Sequence, residues 1–317
     1  PDDRDFLERY LKLTHCDLFF SDAAILVEGN VERLLLPVMI RKVAKTLRSA
    51  CLCILEVGGA FGHRFQSLIE FLGLTTLIIT DIDSVALVAP AAGAAIDDEE
   101  VEEFEVPADG EDDVAMQVQD DGQNPAGEPA APPPKRKYGK ACLPNEPGAA
   151  TSNQTLIKWL PGKLTIEDLR NASEADKTHE LEDDAKVRVA YQTERAITWN
   201  GATETLCGRT LEEDFGLENP EWSQAEDRKS LGLIVKGGAA DPRALAKGLH
   251  ERVSRKSFDK TKFALAVLTE NEDVWHVPAY IRDGLVWLKE EVRIELEIVL
   301  PDAAPMAEAG ATGAEHE

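Results

Sequence analysis

Four acidic residues lie at two points where an apolar, strand-like run of the sequence ends. Glu28 ends the run AAILVE, and Glu32 follows one helical turn later. Asp81 and Asp83 follow the run TTLIIT, and their i, i+2 spacing would point both side chains the same way if the strand continued that far. Carboxylates packed closely repel one another unless a cation compensates them, and ligand sets made only of oxygen favour Mg²⁺ or Mn²⁺. The pattern therefore predicts a divalent-metal site.

Such a site has a defined chemistry. Two metal ions about 4 Å apart can activate a water and stabilise the leaving oxygen of a phosphodiester. Each acid alone has a plainer interpretation, because Glu32 would favour the dipole of a helix start and a lone D-x-D is often a solvated turn. The joint pattern is what favours a metal site. His63 could serve as a general base, but two-metal chemistry needs none, and a surface or phosphate-contacting histidine is the simpler interpretation.

An alternating α/β pattern is expected to position these acids. The runs AAILVE, CLCILEV and TTLIIT are typical of strands, and VERLLLPVMIRKVAKTLR and FQSLIEFLGL are typical of helices, the first with Asn30 as its N-cap. Continuous apolar strands joined by helices predict a parallel sheet covered on both faces. In such sheets ligands bind beyond the carboxyl ends of the strands, which is where the acids lie.

The rest of the chain divides by composition. Residues 20–90 hold the first part of the α/β core, and residues 151–200 hold its remainder, including a partly polar strand at 186–192 near a sheet edge. Residues 201–300 are predominantly helical from about 203 onward and predict an additional helical domain. The other segments are a helical lead-in at 1–19, an acidic, Pro/Ala-rich disordered insertion at 91–150 and a disordered tail at 301–317.

The bulk properties bound the class of protein. The net charge of −25 disfavours a nucleic-acid partner, but Asp97–Glu128 alone holds fourteen acids and no Lys or Arg. Because so much of the negative charge lies in this one stretch, the net charge is weaker evidence against a nucleic-acid partner. Cys51 and Cys53 are expected to be buried free thiols rather than a disulfide or zinc site. No membrane span or signal peptide is evident, which predicts a cytoplasmic protein with no membrane partner.

The order of strands, helices and acids from residue 20 to 90 resembles the Toprim domain closely. A strand ends in E-G, a second ends in G-G and a third ends in D-x-D. Further segments resemble the C-terminal nuclease region of the OLD (overcoming lysogenization defect) family. They are ILVEGNVERLLLP, LEVGGAFGHRF, ITDIDSV, TSNQTLIKWLP, GRTLEEDF, and KTKFAL followed by VPAYIRDGLVWL. The resemblance covers most of the chain except the acidic insertion and the two ends.

The resemblance implies roles for particular residues. The four acids would be metal ligands, with Glu28 and Asp81 also counted as catalytic. Gly58 and Gly59 would allow close backbone approach to the site, and Ser84 is a minor supporting candidate. The cofactor would be two ions of Mg²⁺ or Mn²⁺, with Ca²⁺ as a non-native or supporting ion.

The helical half would complete the site. The family's Ser-x-x-Glu is matched by Thr210 and Glu213, with Glu213 as a further metal ligand and Glu212 as the adjacent alternative. The family's late lysine is matched best by Lys260, which would stabilise charge on the transferring phosphoryl group. Its simpler interpretation is a solvated lysine at a helix start, and Lys256 and Lys262 compete with it.

The expected function is a metal-dependent DNA endonuclease. The family usually carries an ABC-type ATPase before this region; no G-x-x-x-x-G-K-[ST] motif occurs and the sequence begins abruptly at Pro1, so a fragment lacking its ATPase is expected. DNA and the ATPase are the expected partners, and a helicase is a further candidate. Two alternatives are a topoisomerase-like or primase-like Toprim enzyme and a non-catalytic module that organises a DNA repair or phage-defence complex.

Overall fold

A central parallel sheet positions the carboxyl ends of the strands along one edge. The computed structural model describes residues 13–58, 65–87, 138–181 and 185–299. Its strands are β1 Ala23–Val27, β2 Leu52–Glu56, β3 Thr76–Ile79, β4 Ser84–Leu87, β5 Tyr138–Ala141, β6 Ala150–Thr151, β7 Thr178–Glu180, β8 Lys186–Ala190, β9 Arg195–Trp199 and β10 Ala202–Leu206. The sheet has the order β2-β1-β3-β8-β7, and only β7, at one edge, is antiparallel to its neighbour. This confirms the predicted α/β class.

Helices cover both faces of this sheet. They are α1 Asn30–Val43, α2 Gln66–Leu72, α3 Gln154–Trp159, α4 Ile166–Arg170, α5 Leu211–Glu218, α6 Pro220–Ser223, α7 Pro242–Val253, α8 Lys260–Thr269 and α9 Ala279–Val299. Short 3-10 turns occupy Leu13–Phe20, Lys45–Ser49, Glu226–Leu231 and Glu272–Val274. None of the helices in the described ranges is long and apolar enough to cross a membrane.

The alternation of β1 side chains divides the hydrophobic core into two layers. Ala23, Ile25 and Val27 pack with apolar residues of α1, α5, α7, α8 and α9, whereas Ala24 and Leu26 pack with those of α2, α3 and α4. Every residue of β1 is buried, as expected for a strand covered on both faces. The helices after residue 210 therefore share a core with one face of the sheet.

Two local expectations about the first helix and the third strand are wrong. The N-cap of α1 is Gly29 rather than Asn30, and the Glu32 carboxylate accepts a hydrogen bond from the Gly29 amide at 3.1 Å. The third strand ends at Ile79, before the two aspartates. Asp83 has a φ of 44°, so it leaves the extended conformation altogether and does not share a strand face with Asp81.

The expected disordered insertion ends too late, because residues 138–150 are ordered. β4 pairs with both β5 and β6, which makes a small antiparallel sheet immediately after Asp83. The Ser84 hydroxyl donates to the Cys142 carbonyl at 2.5 Å and ties these strands together. The remainder of the insertion, residues 88–137, lies outside the described residues, as do the first twelve residues and residues 300–317.

The segment from Arg195 to Leu206 is a β-hairpin, although the sequence was expected to turn helical at about 203. β9 and β10 pair around Asn200 and Gly201, which have φ values of 50° and 78°. Two positive φ angles define a type I′ turn, for which Asn-Gly is the favoured sequence. The strand predicted at 186–192 near a sheet edge is β8, which lies next to the edge strand β7.

Cys51 and Cys53 are free thiols, and of the two only Cys53 belongs to β2. Cys53 is buried but Cys51 is exposed, so the expectation that both are buried is wrong for Cys51. Cys142 and Cys207 are also free and buried.

Candidate functional site

Glu28 follows β1 and is held by donors from two other segments. Its Oε2 accepts hydrogen bonds from the Thr80 hydroxyl at 2.8 Å and the Asp81 amide at 2.9 Å. The Asn153 amide nitrogen donates to the same oxygen at 3.3 Å, to the Thr80 hydroxyl at 2.8 Å and to the Asp81 carbonyl at 2.8 Å. Asn153 is the N-cap of α3, so its side chain joins that helix to the ends of β1 and β3.

Asp81 is buried where β3 has ended, and neutral donors hold it as well. Its Oδ1 accepts hydrogen bonds from the Gln192 side chain at 2.6 Å and from the Leu211 amide at 3.0 Å. The same Gln192 nitrogen lies 3.2 Å from the Tyr280 hydroxyl, and the Gln192 oxygen accepts from the Ile82 amide at 2.7 Å. Asp81 thus contacts residues that follow β8 and begin α5.

Arg209 connects the other sheet acid to the helical half. Its guanidinium forms an ion pair with Asp83 at 2.8 Å and donates to the Ser84 carbonyl at 3.0 Å. Its backbone amide donates to the Glu213 carboxylate at 3.0 Å. The preceding Gly208 allows this loop to close, since a Cβ there would lie 2.2 Å from the backbone nitrogen of Asp214.

The start of α5 brings two further carboxylates to the site, and both are buried. The Glu212 carboxylate accepts from the Thr210 hydroxyl at 2.8 Å and forms an ion pair with Lys260 at 3.3 Å. The Glu213 carboxylate lies 3.0 Å from Nδ1 of His250 on α7. Glu212 and Glu213 therefore both lie near the sheet acids. Position alone does not distinguish which of the two is the metal ligand.

Lys260 interacts electrostatically with each of the four sheet acids. It is the first residue of α8, where a positive charge opposes the helix dipole. Burial opposes its charge, but Glu212, Asp81 and Glu32 together raise the pKa of Lys260 above its ordinary value. Its side chain is 53% exposed while that of Glu212 is 1% exposed, so the ammonium reaches both the buried acids and the surface.

The sheet acids are short of compensating charge. Burial, reinforced by the neighbouring acids Glu28, Glu32 and Asp83, raises the pKa of Asp81 well above its ordinary value. Burial and the charges of Glu212 and Glu28 raise the pKa of Glu32 to about 7. The pKa values of Glu28 and Asp83 are raised too, each mainly by burial, although Arg209 partly offsets the effect at Asp83. The four predicted acids therefore lie within electrostatic reach of one another.

This donor set fits a hard divalent cation in its chemistry. Hydrogen bonds engage one oxygen each of Glu28, Glu32 and Asp81. Within the described residues, however, no three acidic, histidine or cysteine side chains already stand in positions that could hold an ion. Ligation would require rotation of these carboxylates toward one another, which a cation would favour.

The remaining predicted residues are less informative. Gly58 follows β2 with a φ of 70°, a conformation that favours glycine. Ser84 contacts the site through its carbonyl, which accepts from Arg209, and Thr210 contacts it through its hydroxyl, which donates to Glu212. Gly59 and His63 lie outside the described residues.

Sequence reasoning missed the residues that hold the acids in place. They are Thr80, Asn153, Gln192, Arg209 and His250. The segment containing Asn153 was noted only as part of a family resemblance, and nothing in its local spacing predicts contact with Glu28, 125 residues away.

Comparison with known proteins agrees with this architecture. Residues 19–83 match the family described as "Overcoming lysogenization defect protein-like, TOPRIM domain". Endonuclease GajA of Bacillus cereus (strain HuB5-5) is 26% identical over 302 residues, which cover 92% of this chain. The chain spans only 35% of the length of that relative, and no solved structure matches it. The segment from residue 19 to 83 is therefore similar to the Toprim domains of the OLD-like family.

Proposed function

We propose that the chain is the nuclease portion of a larger protein and that it hydrolyses DNA phosphodiester bonds with divalent metal ions. The observation that carries this proposal is the cluster of buried sheet acids whose pKa values are raised by burial and mutual repulsion. A protein that maintains such repulsion at one edge of its sheet gains from a bound cation. The similarity to an endonuclease supports the same reaction class.

The residues divide into two proposed roles. Glu28, Glu32, Asp81, Asp83 and Glu213 would hold Mg²⁺ or Mn²⁺, which would supply Lewis acidity and an activated water when bound. Lys260 would meet the phosphoryl group, because its ammonium is within reach of the acids and yet half exposed. Positive charge fixed there would stabilise the charge that develops on the phosphate oxygens.

The partners follow from the same proposal. DNA is the substrate, and an ATPase region would account for the part of the GajA-like relative that this chain does not span. A helicase is a further candidate partner.

The test is cleavage of supercoiled plasmid in Mg²⁺, Mn²⁺, Ca²⁺ or EDTA. We expect wild-type protein to nick or cut with Mg²⁺ or Mn²⁺ and Asp81→Asn to be slower by more than about 100-fold, because losing even an outer partner of a metal costs 10-fold or more. Asn at this position can still accept the bonds from Gln192 and Leu211. Asp214→Asn is the matched control, since Asp214 is an equally buried acid on α5 that accepts from the Gly208 amide.

A thermal unfolding series separates catalysis from metal binding. A metal that binds only the folded protein raises stability by about 2.7 kcal/mol at a concentration of 100 Kd. We expect Mn²⁺ to raise the Tm of wild type and Asp214→Asn but not of Asp81→Asn. A metal-dependent rise without any cleavage would instead favour the non-catalytic module, and equal cleavage by Asp81→Asn would refute the site assignment.

A further inference from the structure

One stretch of this acidic chain is exclusively basic. Between Arg33 and Leu55 the sequence contains five Lys or Arg residues and no Asp or Glu, although the whole chain has a net charge of −25. The five residues are Arg33, Arg41, Lys42, Lys45 and Arg48. A local excess of positive charge on an acidic protein is the electrostatic footprint of a polyanionic partner.

The structure arranges these cations along the outside of α1 and past its end. Arg33, Pro37 and Arg41 are exposed and four residues apart, so they follow one side of the helix. Lys45 and Arg48 are exposed on the 3-10 turn that follows. We call Arg33, Arg41, Lys45 and Arg48 the basic track.

The track ends at a cavity of about 550 Å³ between the end of α1 and residues 272–282. Five Lys or Arg residues and two acids line it, which gives the cavity an excess of positive charge. Arg41 is paired with Glu272 at 2.9 Å, and Lys42 donates to the Glu272 carbonyl and lies 4.6 Å from the centre of the Trp275 ring. In the described part of the chain, Lys45 and Arg48 form no such ion pair.

A structural role explains only part of this charge. Arg41 and Lys42 lie in the last turn of α1, where positive charge stabilises the helix dipole. Lys45 and Arg48 lie beyond the helix and form no ion pair with a described acid. Neither the helix dipole nor ion pairing therefore explains their positive charge. Exposed cations beside a cavity that form no ion pair with a described acid are suited to a ligand with several negative charges.

The track begins at the candidate metal site. Helices α1 and α8 lie side by side, with Asn30 3.3 Å from Thr261 at one end and Arg41 2.9 Å from Glu272 at the other. Glu32 of α1 and Lys260 of α8 lie at the end marked by Asn30 and Thr261. From Asn30 to Arg41 the helix rises about 17 Å at about 1.5 Å per residue, which equals about five base pairs of DNA.

We propose that the basic track binds the phosphate backbone of the substrate DNA outside the cleavage site, with Lys45 and Arg48 as its far contacts. The proposal rests on the proposed function for the identity of the polyanion. The contact carries no base specificity, because lysine and arginine on phosphates fix position and register only.

The test is the salt dependence of binding to a fluorescent duplex, measured by anisotropy in Ca²⁺ from about 50 to about 200 mM KCl. Each lost phosphate contact should make the slope of log K against log salt less steep by about 0.9. We expect Lys45→Ala/Arg48→Ala to flatten the slope by about one to two and to weaken binding about five-fold or more at about 0.15 M salt. The control is Lys229→Ala/Arg243→Ala, which removes two exposed charges from other surfaces.

Plasmid cleavage by the same variants separates the two proposals. A flattened slope confined to Lys45→Ala/Arg48→Ala supports the track, even if the wild type cleaves nothing and the nuclease proposal fails. If Lys45→Ala/Arg48→Ala leaves the salt slope unchanged and the wild type cleaves plasmid, the basic track does not bind DNA and the nuclease proposal still stands. An acidic protein would then be the better partner for this surface. Equal flattening in both double variants also overturns it, since the effect would then reflect overall charge.

Discussion

The two halves of the candidate site hold their carboxylates in different ways. On the sheet side, Glu28 and Asp81 accept hydrogen bonds only from neutral groups, which are hydroxyls, amides and backbone N–H groups. On the helical side, Glu212 is paired with Lys260 and Glu213 with His250. Glu28 and Asp81 are thus oriented without a paired cation, although Asp83 is paired with Arg209, whereas Glu212 in the helical half is paired with a lysine.

This difference indicates where an added cation matters most. Neutral donors fix the direction of a carboxylate without cancelling its charge, so burial and repulsion still raise the pKa values of Glu28 and Asp81. A lysine cancels charge in place and remains available to a substrate. The sheet half therefore suits metal ligation, and the helical half suits charge stabilisation on the reacting phosphate.

Replacing Lys260 should produce the largest effect that distinguishes the two halves. We expect Lys260→Ala to slow plasmid cleavage by about 100-fold, since fixed charge aimed at a developing oxyanion contributes about that much. Metal affinity, measured as the Tm increase per Mn²⁺ concentration, should be unchanged or stronger, because a competing cation leaves the acids.

Lys262→Ala is the matched control for this variant. Lys262 is exposed on the same turn of α8, and its backbone amide donates to the Asp259 side chain at 2.9 Å. It should cleave at the wild-type rate. Weaker Mn²⁺ binding in Lys260→Ala would contradict the division of roles.

The two glutamates of α5 should respond differently. We expect Glu213→Gln to weaken Mn²⁺ binding by about 10-fold, because this carboxylate is proposed as a metal ligand. Glu212→Gln should instead slow cleavage with little change in Mn²⁺ affinity, because it releases the lysine that Glu212 anchors. Titration of Tm with Mn²⁺ measures metal affinity, and plasmid cleavage measures the rate. If Glu212→Gln weakened Mn²⁺ binding and Glu213→Gln did not, Glu212 would be the metal ligand.

The sequence was sufficient to place the sheet acids because strand ends are local features. Apolar runs ending at Glu28 and Asp81 predicted a shared sheet edge, and the parallel order of β1 and β3 confirms it. The supporting residues could not be predicted in this way, because Gln192 is 111 residues from Asp81 in the sequence and contacts it only in the folded sheet. Arg209 and Asp83 are likewise brought together by a loop rather than by any repeat of spacing.

One missed element did have a local signal. The hairpin β9–β10 contains Asn200 and Gly201, the dipeptide that best predicts a two-residue turn. The pattern from about residue 203, which includes most of β10, predicts a helix instead. Asp83 is the opposite case, because its positive φ lies outside any such turn dipeptide and the surrounding sequence did not predict the break from the strand.

The smallest predicted effect concerns Asn153, the neutral donor that joins the sheet acids to α3. Serine caps helices about as well as asparagine, but its shorter side chain would not span Glu28, Thr80 and the Asp81 carbonyl. We therefore expect Asn153→Ser to lower the free energy of unfolding by about 1 kcal/mol, a Tm decrease of about 2–4 °C. Cleavage should fall about 10-fold, because Glu28 loses part of its orientation.

The same substitution at Asn271 provides the control for this last variant. Asn271 caps the 3-10 turn Glu272–Val274, where its side chain accepts from the Asp273 amide, and it is exposed. Asn271→Ser should leave both Tm and cleavage nearly unchanged. If Asn153→Ser lowered Tm without slowing cleavage, Asn153 would act on the fold alone. Neutral donors would then not be what orients the sheet half of the site.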